Sequence, residues 1–349
     1  MIHRYKNNGY NIVLDVNSGS VHVVDDIVYD IVGCLEEKMS EAAILEKFKN
    51  QYKEEDIRTA IEECRELEEA QMLFTNDIYE NAIESFKDRP TVVKALCLHI
   101  AHDCNLACRY CFAEEGEYHG RRALMTYEVG KQALDFLIAN SGNRKNLEVD
   151  FFGGEPLMNW NVVKELVAYG RSQEKIHNKH FRFTLTTNGV LLDDDIMEFA
   201  NKEMDNVVLS IDGRKEVHDF MRPFRKGKGS YDLVVPKFQK FADSRGQQKY
   251  YARGTFTHHN LDFSEDVLHL ADLGFEQISV EPVVADEKEE YAIKKEDIPK
   301  ICEEYDKLAK EMIRRNKEGK GFNFFHFMID LTGGPCVYKR LSGCGSGTE

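Results

Sequence analysis

The sequence predicts an α/β protein, and three observations carry that expectation. Six short apolar runs between residues 95 and 284 alternate with stretches of helical periodicity. Turn and capping residues such as Gly, Asn, Asp and Ser stand at the junctions between them. No run reaches the roughly 18 apolar residues that a membrane span needs. Hydrophobic residues make up 42% of the 349 and charged residues 31%, enough for a buried core under a solvated surface.

Residues 1–85 read as a small separate unit. Tyr10 to Val16 and Val21 to Val24 are β-like runs joined by the turn residues Asn17-Ser18-Gly19-Ser20, a hairpin. Asp25 or Asp26 caps a helix reaching about Glu37. Ser40 starts a second, with Ile44, Leu45 and Phe48 along one stripe. A third spans about Glu54 to Ala70, with Ile57, Ile61, Cys64 and Leu67 on one face. A hairpin with three helices is a winged helix-turn-helix-like pattern. Its obvious use is DNA binding, but residues 1–85 hold 8 Lys/Arg against 19 Asp/Glu, a net of −11. That surface repels phosphate. The whole chain carries −15, which argues in the same direction. Neither nucleic acid nor a membrane is expected as a partner.

Residues 86–94 read as a linker. The candidate strands after it are Ala95–Ala101, Leu147–Phe152, Phe181–Thr187, Asn206–Ile211, Lys249–Thr257 and Gln277–Val284. The helix-like stretches are 126–140, 159–172, 192–202, 230–244, 264–273 and 296–318. Six βα units over 95–318 predict a parallel sheet with right-handed crossovers. Periodicity does not show whether the sheet closes. Residues 319–349 form a last, separate segment, Gly-rich from Leu331 to Glu349, that stops without a closing element, as a truncated chain would.

The N-terminus lacks the apolar core of a signal peptide, so a cytoplasmic location is expected. In a reducing compartment nine cysteines point to metal or catalysis before disulfides. Cys34, Cys64 and Cys302 sit in helical patterns and Cys97 in an apolar strand, positions that suit packing.

The chemistry starts at His102-Asp103-Cys104-Asn105-Leu106-Ala107-Cys108-Arg109-Tyr110-Cys111, directly after the first strand of the six. Three thiolates spaced C-x3-C-x2-C on one loop can hold three irons of a 4Fe–4S cubane and leave the fourth open. A zinc site would need one more ligand, for which His99, His102 or His119 is available. Gly153-Gly154-Glu155-Pro156 follows the second strand. Thr186-Thr187-Asn188-Gly189 ends the third and Ser210-Ile211-Asp212-Gly213 the fourth. Arg253 lies in the fifth, where a buried guanidinium would need an anion. Glu281-Pro282-Val283 lies in the sixth. Strand ends are where such sheets place their chemistry. Asn188, Ser210 and Asp212 also suit helix capping, and Arg253 a cross-sheet salt bridge.

The cysteine spacing, with an aromatic Tyr110 before the last thiol, resembles the radical S-adenosylmethionine superfamily. The resemblance implies a partial (β/α)6 TIM-type barrel. It implies that Cys104, Cys108 and Cys111 ligate the cluster and that the cluster's electron cleaves S-adenosylmethionine to a 5′-deoxyadenosyl radical. Gly153, Gly154 and Glu155 would then meet the cofactor's amino group. Asn188, Ser210 and Asp212 would meet its ribose and carboxylate, with Arg253 on the carboxylate. The backbone around Pro282 would read the adenine and Phe112 would cover it, with Tyr110 also among the cofactor-binding residues.

Gly333-Gly334-Pro335-Cys336 and Gly343-Cys344-Gly345-Ser346-Gly347 resemble the start of the SPASM extension of peptide-modifying members. That resemblance implies auxiliary 4Fe–4S ligands at Cys344 and Cys336. The N-terminal unit resembles a precursor-binding domain that takes a leader peptide as an added strand. Together with Leu98-His99-Ile100-Ala101-His102-Asp103-Cys104, these features resemble the maturases of six-cysteine "SCIFF" peptides. That family implies a ribosomal Cys-rich precursor peptide as partner, a Cys-sulfur to α-carbon thioether (sactionine) as product, and a reductant such as flavodoxin or ferredoxin. The alternatives are an anaerobic sulfatase-maturase-type or other crosslinking enzyme and, in another class, an iron–sulfur or zinc helix-turn-helix regulator. No catalytic base is legible; Asp103, Glu114, Glu115 and Glu117 lie near the cluster loop.

Overall fold

The computed structural model describes residues 1–80 and 92–336. Most of the expected linker and Cys344 lie outside the described residues. Two compact units result, one of residues 1–80 with 329–336 and the other of residues 92–328.

The first unit runs β1 (Ile2–Asn7), β2 (Tyr10–Asp15), β3 (Val21–Val24), α1 (Asp26–Glu36), α2 (Glu41–Phe48) and α3 (Glu54–Glu69). The expected hairpin is one strand short: β1 pairs antiparallel with β2, so the sheet order is β1-β2-β3. The strand went unseen because only Ile2 of its six residues is buried. Asp25 and Ser40 cap α1 and α2 by accepting from the backbone N–H three residues on. Ile31, Ile44, Ile57, Ile61, Cys34 and Cys64 close the core.

In the second unit the expected parallel sheet is present. Its strands are β4 (Ala95–His102), β5 (Ala123–Leu124), β6 (Asn146–Gly153), β7 (His180–Thr187), β8 (Asn206–Ser210), β9 (Tyr250–Phe256), β10 (Gln277–Pro282) and β11 (Asn323–Phe324). The order is β11-β10-β9-β8-β7-β6-β4-β5, all parallel except β5 against β4. The edge strands β5 and β11 do not pair, so the sheet is open among the described residues. The helices are α4 (Tyr127–Asn140), α5 (Trp160–His177), α6 (Asp194–Glu203), α7 (Lys215–Met221), α8 (Tyr231–Ser244), α9 (Phe263–Asp272) and α10 (Ile298–Lys317). The two-residue strands β5 and β11 and the seven-residue α7 are too short for periodicity to reveal. No helix among the described residues is long and apolar enough to cross a membrane.

Alternate residues of each strand are buried under the helices, for example Val149 and Phe151 on β6 or Val207 and Leu209 on β8. The intervening residues face the opposite side, because successive strand side chains alternate. That side carries the candidate site. Two cysteines correct their expected packing role: Cys97 and Cys302 are exposed, the first because its strand position points to the open face.

Candidate functional site

Cys104, Cys108 and Cys111 lie on the loop after β4, and all three line one cavity of about 330 Å³. Among the described residues no three His, Cys, Asp or Glu side chains converge as a single-ion site requires. A cubane makes a different demand, one thiolate at each of three separate iron corners. Burial pushes the Cys104 thiol up to about 12 and the Cys108 thiol up to about 11, so bare thiolates are disfavoured there. Metal coordination reverses that preference by deprotonating the thiol.

The loop is pinned by a segment that periodicity did not single out. Ala107 N–H donates to Pro223 O and Arg109 N–H to Met221 O, both at 2.9 Å. Arg225 donates to Asp103 Oδ1 at 2.8 Å and to Cys104 O at 2.6 Å. Leu106 bridges Phe224. The residues after α7 therefore hold the loop in place from outside.

Gly153 and Gly154 line the cavity, but their packing explains the glycines more directly than ligand approach. A Cβ on Gly154 would stand 2.1 Å from Asp103 O, and one on Gly153 2.5 Å from Ala101 O. Gly153 also has φ +121°, which side chains rarely adopt. The Glu155 carboxylate, fully buried, is already taken. It accepts from Leu157 N–H at 3.0 Å, Thr187 Oγ1 at 2.8 Å and Asn188 N–H at 2.8 Å. Burial pushes its pKa up to about 7 against those three donors. It ties the end of β6 to the end of β7. Asn188 is oriented by that tie and donates to Asn105 Oδ1 at 2.8 Å, with Cys104 Sγ at 3.5 Å.

Ser210, Pro282 and Phe112 line the cavity as well. Phe112 is 69% exposed, so it is not a core residue, and it stacks on Phe152. Asp212 departs from its expected role. It is completely buried and absent from the cavity wall. Tyr110 Oη lies 2.7 and 2.8 Å from its two oxygens, Arg222 Nε 3.0 Å away, and Thr255 N–H donates at 3.1 Å. Asp212 is a buried anchor for Tyr110 and Arg222. Behind it, Asp212 N–H donates to His218 Nδ1, which leaves Nε2 to donate to Ser230 Oγ, and that hydroxyl donates to Arg222 O. Burial holds His218 down to about 4, hence neutral.

Arg253 lines the cavity and makes the salt bridge that was its other expected role. Its side chain is 45% exposed and pairs with Glu281 at 2.6 Å, the cross-sheet bridge between β9 and β10. The buried guanidinium of the cavity is Arg222, with 12% side-chain exposure. Burial opposes its charge, but Asp212, Tyr110 and Cys108 keep it protonated. Arg222 sits just past a short helix, and an isolated Arg there carries no periodic signal. Cys336 is exposed, in the other unit.

Among the described residues the buried Asn105 Nδ2, beside the cavity-lining Asn188, has no hydrogen-bond partner, while Arg222 Nε faces Asp212 Oδ1. Three thiols, the buried Arg222 guanidinium and an open wall of strand ends form a set that fits an iron–sulfur cluster with an anionic ligand beside it.

Residues 98–252 match the Radical SAM superfamily, so the chain carries a domain of that kind. Such a domain implies a 4Fe–4S cluster and S-adenosylmethionine. An uncharacterized protein of Methanocaldococcus jannaschii is 34% identical over 139 residues, 40% of this chain and 45% of that one. The Radical SAM cyclopropyl synthase TigE of Paramaledivibacter caminithermalis is 26% identical over 162 residues, 40% of this chain and 34% of its own. The cysteine-type anaerobic sulfatase-maturating enzyme of Clostridium novyi is 27% identical over 137 residues, 38% and 36% of the two chains. The matched stretch spans less than half of each relative. Among solved structures, native anSMEcpe with bound AdoMet superposes with TM-score 0.59 at 19% identity, over 67% of this chain and 65% of that one. That likeness is one of fold.

Proposed function

We propose that this chain is a radical S-adenosylmethionine maturase that modifies a ribosomally made, Cys-rich precursor peptide and forms Cys-sulfur to α-carbon thioethers. The observation that carries the radical reading is that Cys104, Cys108 and Cys111 open onto one cavity walled by strand ends. Cys104, Cys108 and Cys111 would hold the cluster. When bound, cluster and S-adenosylmethionine together supply a 5′-deoxyadenosyl radical that takes hydrogen from substrate.

The chain's own residues position and shield. Arg222 presents a buried guanidinium for the methionyl carboxylate, the role first expected of Arg253. Asn188 and Ser210 offer polar groups at neighbouring strand ends. Gly153 and Gly154 bring their backbone to the cavity, and Tyr110 with Asp212 stiffens the wall. Phe112 and Pro282 give an apolar border suited to adenine.

The peptide partner is supported by the first unit. The edge strand β3 exposes Val21 and Val23 beside a strand edge that is unpaired among the described residues, and a peptide can add there as a further strand. Its net charge of −11 over residues 1–85 suits a peptide that is not acidic. The thioether product, auxiliary clusters at Cys336 and Cys344, and a flavodoxin- or ferredoxin-like reductant rest on the resemblance alone. The sulfatase-maturase-type alternative is supported by the similarity to the Clostridium novyi enzyme.

Anaerobic co-expression with a Cys-rich candidate precursor peptide tests the product. Loss of two hydrogens per bridge with blocked thiols supports the thioether; free thiols and unchanged mass contradict it.

A further inference from the structure

Just below the cavity, the open face of the sheet carries a polar layer that the proposed chemistry leaves unused. On β6, Val149 and Phe151 enter the core, so Asp150 and Phe152 point to the open face. Phe152 lines the cavity, and Asp150 lies one side-chain layer deeper. In register with Asp150 stand Cys97 on β4 and Thr184 on β7. Asp150 Oδ1 is buried and has no hydrogen-bond partner among the described residues. Tyr118 Oη and His326 Nε2 share that condition.

An unmet buried polar group costs about 1–3 kcal/mol. Asp150 Oδ1 is such a group, and the described residues leave it calling for a donor. The charges near the layer are Asp150 and Glu281 against Arg253, whose guanidinium is already paired with Glu281. The balance is one negative charge in excess. Burial pushes Asp150 up to about 6 while Arg253 pulls it down, so the carboxyl is mostly ionised near neutrality.

We propose that this layer is the subsite for the substrate's reacting side chain, with Asp150 Oδ1 accepting a hydrogen bond from a hydroxyl, thiol or ammonium on it and the layer rejecting a carboxylate. The inference rests on the reading above, in which the cofactor fills the cavity directly overhead.

Cys97 is an exposed thiol in register with Asp150 and so serves as a built-in reporter. The full-length protein is reacted with three disulfides in mildly alkaline buffer: cationic cystamine, neutral 2-hydroxyethyl disulfide and anionic 3,3′-dithiodipropionate. Peptide mass mapping then reads labelling at Cys97 and, as a control for fold and overall charge, at the exposed Cys302. The expected order at Cys97 is cystamine, hydroxyethyl disulfide, dithiodipropionate, with about fivefold or more between first and last. Asp150→Asn should bring that ratio close to unity without moving the ratio at Cys302, and Asp150→Glu should keep it. Equal rates at Cys97 in the wild type, or a ratio that Asp150→Asn leaves in place, overturns the subsite. Failure of the same preparation to make 5′-deoxyadenosine would instead strike the radical reading, and the labelling order would still judge the layer's chemistry.

Discussion

The Tyr110 hydroxyl sits between the two carboxylate oxygens of Asp212, 2.7 and 2.8 Å away, and thereby couples the cluster loop to the end of β8. Tyr110 immediately precedes Cys111, so this bond fixes where the third thiol emerges. A buried hydrogen bond to a charged acceptor contributes about 1.5–3 kcal/mol. Tyr110→Phe should therefore lower the unfolding free energy by about 2 kcal/mol in urea titration. A change below about 0.5 kcal/mol would show that the bond does not hold the loop.

Arg222 and Arg253 make a matched pair of tests. Arg222→Met leaves the Asp212 carboxylate buried without its cation and should cost about 3–5 kcal/mol. Arg253→Gln breaks a half-exposed pair and should cost less than about 1 kcal/mol. Arg222→Lys keeps the charge but not the planar fork, so binding of S-adenosylmethionine to the reconstituted protein should weaken about tenfold or more by equilibrium dialysis. Equal effects at the two arginines would return the cofactor role to Arg253.

Glu155 sets a pH dependence. Its folded pKa of about 7 lies above the ordinary 4.5, so the folded chain keeps its proton longer than the unfolded chain. The associated stability is fully present below pH 4.5 and lost as pH rises towards 7. The stability difference between wild type and Glu155→Gln should therefore fall by about 3 kcal/mol across that window. Urea unfolding at a series of pH values reads it. A flat difference curve would mean that the three donors cancel the burial.

Gly154→Ala places a Cβ 2.1 Å from the Asp103 carbonyl oxygen, next to Cys104. The cluster loop must shift, so iron bound after anaerobic reconstitution should fall by more than about half. Full iron content would show that the loop yields without losing its ligand geometry.

The sheet and its motifs were legible because they repeat a local rule. Each of β4, β6, β7, β8, β9 and β10 is an apolar run followed by a helical period, and the chemistry-bearing residues stand at strand ends. The cysteine spacing is local too. What sequence reading missed depends on long-range contact. Asp212 reads as a ligand until Tyr110, Arg222 and Thr255 are seen to surround it. Arg222, Asn105 and the Met221–Arg225 brace lie on short connecting segments without periodicity, and their meaning comes from residues about a hundred positions away. Arg253 reads as buried because its strand is apolar, but it alternates onto the open face. Cys97 errs for the same reason.

The central claim is that Cys104, Cys108 and Cys111 together hold a cluster that cleaves S-adenosylmethionine. Anaerobic reconstitution with iron and sulfide, followed by assay with S-adenosylmethionine and a strong reductant, tests it most directly. The account predicts a brown protein that releases 5′-deoxyadenosine, with both colour and product lost in Cys108→Ala. A colourless protein with zinc at the loop, or a brown one that yields no 5′-deoxyadenosine, would contradict it.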